Sequence, residues 1–287
     1  MKKYLILLAK LVVFALLFVL IMGVLSIPLM LTGDLNAADS NDSLFIVAEA
    51  IQFVSVLLAS WIIIRFWDKL PFVEDMGFSL RGRAKDMFLG MGIAAAIYAI
   101  GFGISLLVGW VSVKGVHFDV MGLFMSFILM VMVALAEESL VRGFVLGHML
   151  DVGMNKFLAL VLSSLIFAAM HLGNPGMTGI SFVNIALAGV LLGAAYIYTR
   201  NLWFSISLHL FWNWIQGPLL GYEVSGTTNS STLLTLNLSD NTLMNGGNFG
   251  FEASLPCTIL MLVAIACIIY QFENNKKPYE KTISNDY

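Results

Sequence analysis

Glu137 and Glu138 stand side by side at the end of an apolar run that reads VMGLFMSFILMVMVALA from Val120 to Ala136, and Arg142 follows four residues after Glu138. Each charge near the centre of a membrane helix costs about 2.5–3.5 kcal/mol on insertion scales, so such residues turn toward a cavity or one another and mark function. The spacing of Glu138 and Arg142 puts both on one helical face, in ion-pair geometry. His171 closes the next apolar segment, and His209 and Asn213, again four apart, share one face of a later one. Two acids, two imidazoles and a carboxamide are the inventory of a hydrolytic site. Burial favours the neutral form of a carboxyl and a neighbouring Arg favours its anion, so adjacent acids with different partners can divide into a structural anion and a proton shuttle. A Glu can take a proton from water. Imidazoles and a carboxamide can donate to an oxyanion, or the imidazoles can bind a metal that activates the water.

The elements that carry these residues are membrane spans. The chain has 287 residues, 59% hydrophobic and 11% charged, with a mean hydropathy of +0.90. Soluble domains carry about 25% charged residues. Cys257 and Cys267 lie in one apolar run and form neither a disulfide framework nor a thiolate metal site. The expected fold is an all-α polytopic bundle of eight transmembrane helices: Tyr4–Leu31, Leu44–Trp67, Met87–Val111, Val120–Leu150, Phe157–Leu172, Gly179–Tyr198, Leu202–Leu220 and Ala253–Phe272. The first is too long for a signal-peptide core of about 7–15 residues. Its Lys10 is expected to snorkel toward the basic end, and small residues in the third (Gly90, Gly92, Ala94–Ala96, Gly101, Gly103) and the Gly189/Gly193 pair in the sixth suit close helix packing.

An N-in, C-in orientation places Lys2 and Lys3, Arg65 through Lys85, Lys156, Arg200 and the tail lysines Lys276, Lys277 and Lys281 on the inside, leaving Lys114 alone outside. Four units follow: the first three spans with their basic loop (1–119), a core of four spans (120–220), an outer polar Ser/Thr/Asn/Gly loop expected to be mobile (221–252), and the last span with its tail (253–287). Counted at about 1.5 Å per residue from the cytoplasmic ends, Glu138, His171, His209 and Asn213 lie roughly 10–22 Å deep, a band compatible with one shared site.

Each feature also has a structural reading. An intramembrane His can simply donate to a neighbouring helix, Glu138 and Arg142 can be a packing pair, and Asn213 can join helices at about 0.6 kcal/mol. Trp203, Trp212 and Trp214 read as interface and packing aromatics, and His117 and His148 as surface or loop histidines. The coincidence of the other six residues is what those readings leave unexplained.

Taken together, Glu137-Glu138-x-x-x-Arg142, Phe167-x-x-x-His171 and His209-x-x-x-Asn213 resemble the three ordered motifs of the CAAX prenyl endopeptidase and bacteriocin-processing (CPBP, Abi-type) intramembrane proteases, over roughly Val120–Gly217. The resemblance implies an endopeptidase acting on a hydrophobic peptide or membrane-protein substrate within or beside the lipid bilayer, with no nucleic-acid partner. It implies that Glu137 is the general base, assisted by His171, that His209 and Asn213 stabilise the oxyanion, and that Glu138 and Arg142 hold the geometry. The family is catalogued as metalloproteases. Glu137, His171 and His209 could bind Zn2+ with an open position, while HExxH is absent and a metal-free glutamate mechanism stands beside it.

Two rivals are a proton-coupled transporter, which also keeps acids, Arg and His in mid-membrane, and a non-proteolytic immunity or scaffold protein of the same family. Prenyl-protein processing needs a eukaryotic or archaeal setting that the chain does not advertise. A bacterial cell membrane is the expected location, and no oligomeric state is indicated.

Overall fold

The computed structural model describes residues 2–32, 42–228 and 231–274. The tail lysines Lys276, Lys277 and Lys281 lie outside the described residues, as does most of the acidic stretch after the first helix. The chain is an all-α polytopic membrane bundle. Among the described residues six helical segments are long and apolar enough to cross a membrane: Lys2–Leu25, Ser43–Asp68, Ala84–Val108, Val120–Asp151, Gly179–Thr199 and Leu255–Asn274. The two other expected spans are shorter. One is an apolar helix of 15 residues, Lys156–Met170. The other is a helix of 12 residues, Trp203–Trp214, prolonged by a π-helical turn over Ile215–Leu219.

Labelled in chain order, the elements are α1 (Lys2–Leu25), α2 (Ile27–Thr32), α3 (Asp42–Ile62), α4 (Phe72–Met76), α5 (Ala84–Val108), β1 (Val111–Val116), α6 (Val120–Glu138), α7 (Gly147–Asp151), α8 (Lys156–Met170), α9 (Gly179–Ala194), α10 (Tyr196–Thr199), α11 (Trp203–Trp214), β2 (Leu234–Leu238), α12 (Thr242–Asn245) and α13 (Leu255–Asn274). The first apolar run is not one helix. It breaks at Ser26, two residues before Pro28, whose ring nitrogen has no hydrogen to give to the preceding turn.

Local chemistry sets the helix starts. Asp119 accepts from the Gly122 amide at the head of α6, and Asn155 accepts from the Phe157 and Leu158 amides at the head of α8. Thr178 and Ser181 form a capping box at the head of α9. The Gly122 amide, and after it the Ser231 hydroxyl, hold the Asp119 carboxyl below the usual carboxylate range. The cap therefore contributes above the carboxyl's unfolded value and is lost only as pH falls through the lowered one.

Close approaches decide which helices touch. α11 packs on α5, α9 on α8, α3 on α6 and α1 on α3. A Cβ on Gly90 would lie 2.6 Å from the Phe204 carbonyl oxygen, so α5 and α11 meet backbone to backbone there. Gly189 meets the Cα and Cβ of Ser164 of α8 at similar range, and Gly193 meets the end of the Leu160 side chain. Gly92 and Gly103, read as packing glycines, have nothing within 4 Å of such a Cβ. Gly90→Leu is therefore expected to overpack the α5–α11 contact and destabilise by about 1–3 kcal/mol or more, whereas Gly92→Leu leaves the melting profile in detergent near that of the wild type. Equal melting losses in both variants would contradict this contact.

Two readings, of His148 and of Lys10, need correction. His148 is buried, its Nδ1 2.8 Å from the Phe144 carbonyl and its Nε2 3.0 Å from Asp68. Lys10, rather than reaching for water, donates to the same Asp68 carboxylate. Their shared partner, Asp68, lies far from both in the chain, which is why local polarity marks them as exposed. The segment 221–252 also departs from expectation. β1 and β2 pair antiparallel, with a bulge between Val113 and Gly115, and bind the middle of the 221–252 segment to the stretch that follows α5.

Candidate active site

The charged cluster sits where α6 passes into a π-helical stretch, Ser139–Leu146. Wide turns of this kind are frequent at functional sites. Across this change of pitch Arg142 still reaches back to Glu138, with Nη1 2.8 Å from Oε1. Both side chains are enclosed, at 1% and 0% exposure. Arg142 also donates to the Gly189 carbonyl at 3.0 Å and lies 4.5 Å over the Phe167 ring, a cation–π contact. The missing side chain at Gly189, needed for the approach of α9 to α8, thus also leaves its carbonyl beside the guanidinium.

Glu138 holds a second partner. His209 on α11 directs Nδ1 at the same Oε1, 2.8 Å away. The carboxylate can only accept, so His209 Nδ1 is the donor and Nε2 faces the other way. There it lies 3.9 Å from Glu137 Oε2. His171, the residue that ends α8, has Nδ1 2.8 Å from the Phe167 carbonyl and Nε2 4.0 Å from the same Glu137 oxygen. A carbonyl also only accepts, so in neutral His171 the lone pair is on Nε2. Phe167 packs against both rings, at centroid distances of 4.7 Å and 6.1 Å.

Glu137, His171, His209 and Asn213 line one cavity of about 130 Å³. Glu138 and Arg142 do not line it and stand behind His209. The arrangement divides the paired acids. Glu138 Oε1 is tied to a guanidinium and an imidazole while its Oε2 has no hydrogen-bond partner, and Glu137, on the cavity wall, has a buried Oε2 with none either, among the described residues.

The donor set does not fit a preformed zinc site. Zinc–ligand bonds of roughly 2.0–2.2 Å in a tetrahedron bring neighbouring donors to about 3.3–3.5 Å, shorter than the 3.9 Å and 4.0 Å here. No group of three or more His, Cys, Asp or Glu among the described residues is placed to hold a metal ion.

The cavity also contains residues that the sequence reading left out. Glu49 from α3 and Glu252 from the 221–252 segment both line it, as do Asn174 and Ser225. Glu252 is buried and fully engaged, accepting from Trp212 Nε1 at 2.8 Å and from the Ser225 amide and hydroxyl at 2.8 Å and 2.9 Å. Asn174, three residues past His171, donates to the Ser225 carbonyl at 2.9 Å. The 221–252 segment is thus fastened over the cavity through a buried carboxylate, and Trp212 is a lining residue as well as a packing one. Glu49 did carry a signal, as a lone acid within the second apolar run.

No curated protein and no solved structure matches the chain. Residues 119–215 match the family model of the type II CAAX prenyl endopeptidase Rce1-like proteins. That stretch contains Glu137, Glu138, Arg142, His171, His209 and Asn213, and over it, about a third of the chain, the protein is similar to that family.

Proposed function

We propose that the protein is an intramembrane endopeptidase that hydrolyses a peptide bond of a hydrophobic peptide or membrane protein with a water activated by Glu137. The observation that carries this reading is the unpartnered Glu137 oxygen facing two imidazole nitrogens at 3.9 Å and 4.0 Å. These gaps are too long for direct hydrogen bonds and suit a bridging water. One water hydrogen can point at Glu137 and the other at the His171 Nε2 lone pair, which leaves an oxygen lone pair for attack.

As that oxygen bonds to the carbonyl carbon, its proton passes to Glu137 and the carbonyl oxygen becomes an oxyanion. In this step His209 donates from Nδ1 to Glu138 and carries a second hydrogen on Nε2, on the side that faces Glu137. Its Nε2–H and the Asn213 carboxamide are the oxyanion donors. Collapse of the tetrahedral intermediate breaks the C–N bond as Glu137 returns its proton to the leaving amine. Every proton is accounted for by these residues. Glu138 and Arg142 touch no reacting atom and act by positioning His209.

Eight embedded segments with both termini inside, in a bacterial cell membrane, complete the reading. Its first test is peptide cleavage by the purified protein in detergent, with and without a zinc chelator. Cleavage is expected to persist in the chelator. Loss of cleavage that added zinc restores would contradict the metal-free route. His209→Ala and Asn213→Ala are each expected to lower kcat by about 10²–10³ with a smaller effect on KM, the pattern of lost oxyanion donors. Unchanged kcat in both would remove that assignment.

A further inference from the structure

The cavity is lined by three carboxyls, Glu49, Glu137 and Glu252, and by no Lys or Arg among the described residues. Two are accounted for. Glu137 belongs to the reaction, and the oxygens of Glu252 are engaged by Trp212 and Ser225. Asn174 is likewise turned to the Ser225 carbonyl, and the Thr227 hydroxyl to the Val224 carbonyl at 2.6 Å. Glu49 is different. Its Oε2 is buried without a hydrogen-bond partner among the described residues, although it lines a cavity rich in polar groups.

Leaving a buried carboxyl oxygen unmatched is costly, and a positively charged donor brought in with a ligand removes that cost. Apart from Glu137, the residues that α3 and α6 contribute to the cavity beside Glu49 are apolar. Phe45 stands one turn before it on the same face of α3, and Leu129, Met130 and Val133 line the cavity from α6. Glu49 is seven residues from the start of α3, roughly 10 Å along the helix. A long side chain with an apolar stem and a cationic tip matches such a pocket, stem on the hydrophobic wall and tip on the carboxylate.

We infer that Glu49 is a specificity residue that receives a Lys or Arg side chain of the substrate, in an otherwise hydrophobic sequence, beside the bond to be cut. The inference rests on the peptidase reading for the identity of the ligand. Its test is binding, which is measurable whether or not turnover occurs. Fluorescent hydrophobic peptides that carry one lysine, scanned along the sequence, are compared with the same peptides carrying norleucine.

The wild type in detergent is expected to bind the lysine peptide on the order of tenfold more tightly at one position of the scan. Glu49→Gln is expected to reduce that ratio toward one, Glu49→Asp to retain most of it, and Glu49→Arg to favour a glutamate-bearing peptide instead. Equal binding of the lysine and norleucine peptides by the wild type at every position would overturn the proposal, and that comparison needs no variant to fold. A lysine preference that survives in a folded Glu49→Gln would overturn it too. Failure to cleave any peptide bears on the peptidase reading alone, and the binding ratio then still decides the role of Glu49.

Discussion

Arg142→Leu is expected to destabilise the protein by about 3–5 kcal/mol, the cost of leaving a buried carboxylate without its cation. The guanidinium is at once the ion-pair partner of Glu138, a donor to the Gly189 carbonyl and the cation over Phe167, and a leucine offers none of these. The released Glu138 charge then has only His209 to answer it. Because the penalty comes from the orphaned acid, Glu138→Gln combined with Arg142→Leu is expected to melt higher than Arg142→Leu alone, while remaining inactive because His209 has lost its anchor. Detergent melting of the two single variants and the double variant measures the coupling. Strictly additive losses would show that the pair is not the unit it looks to be.

The second large effect falls on chemistry rather than on folding. Glu137→Gln keeps the size and hydrogen-bonding reach of the side chain and removes only its capacity to take a proton. General-base catalysis contributes roughly 10²–10⁴ in rate, so kcat is expected to fall by about that factor. KM and the melting temperature should stay near those of the wild type, since Glu137 Oε2 makes no hydrogen bond that the amide would break. The contrast with Arg142→Leu is the point. On the proposed mechanism one acid of the adjacent pair is used for the reaction and the other for the frame, and the two variants separate these roles by readout.

How far this site was legible in the sequence depends on where each constraint lies. Glu137, Glu138 and Arg142 announce themselves because charges in an apolar run are costly and the i to i+4 spacing is local. His209 with Asn213 is legible for the same reason. The division of labour between the two acids is not local. It is set by α11 bringing His209 Nδ1 to Glu138 and by α8 ending with His171 Nε2 toward Glu137.

Glu49 was passed over because nothing near it in the chain shows that α3 lies on α6. His148 was misread because its partner Asp68 is 80 residues away. The segment 221–252 has the composition of a mobile loop, yet Glu252 is 4% exposed and anchors the segment on Trp212. Polar side chains that satisfy one another across long separations look, in sequence, like polar side chains facing water.

The most direct test of the central claim is mass spectrometry of a lysine-containing hydrophobic peptide incubated with purified wild type and with Glu137→Gln, both shown to be folded. The account predicts two fragments from the wild type, with the oxygen of bulk water in the new carboxylate, and intact peptide from the variant over the same time. Equal cleavage by the two proteins, or intact peptide from both, would contradict it.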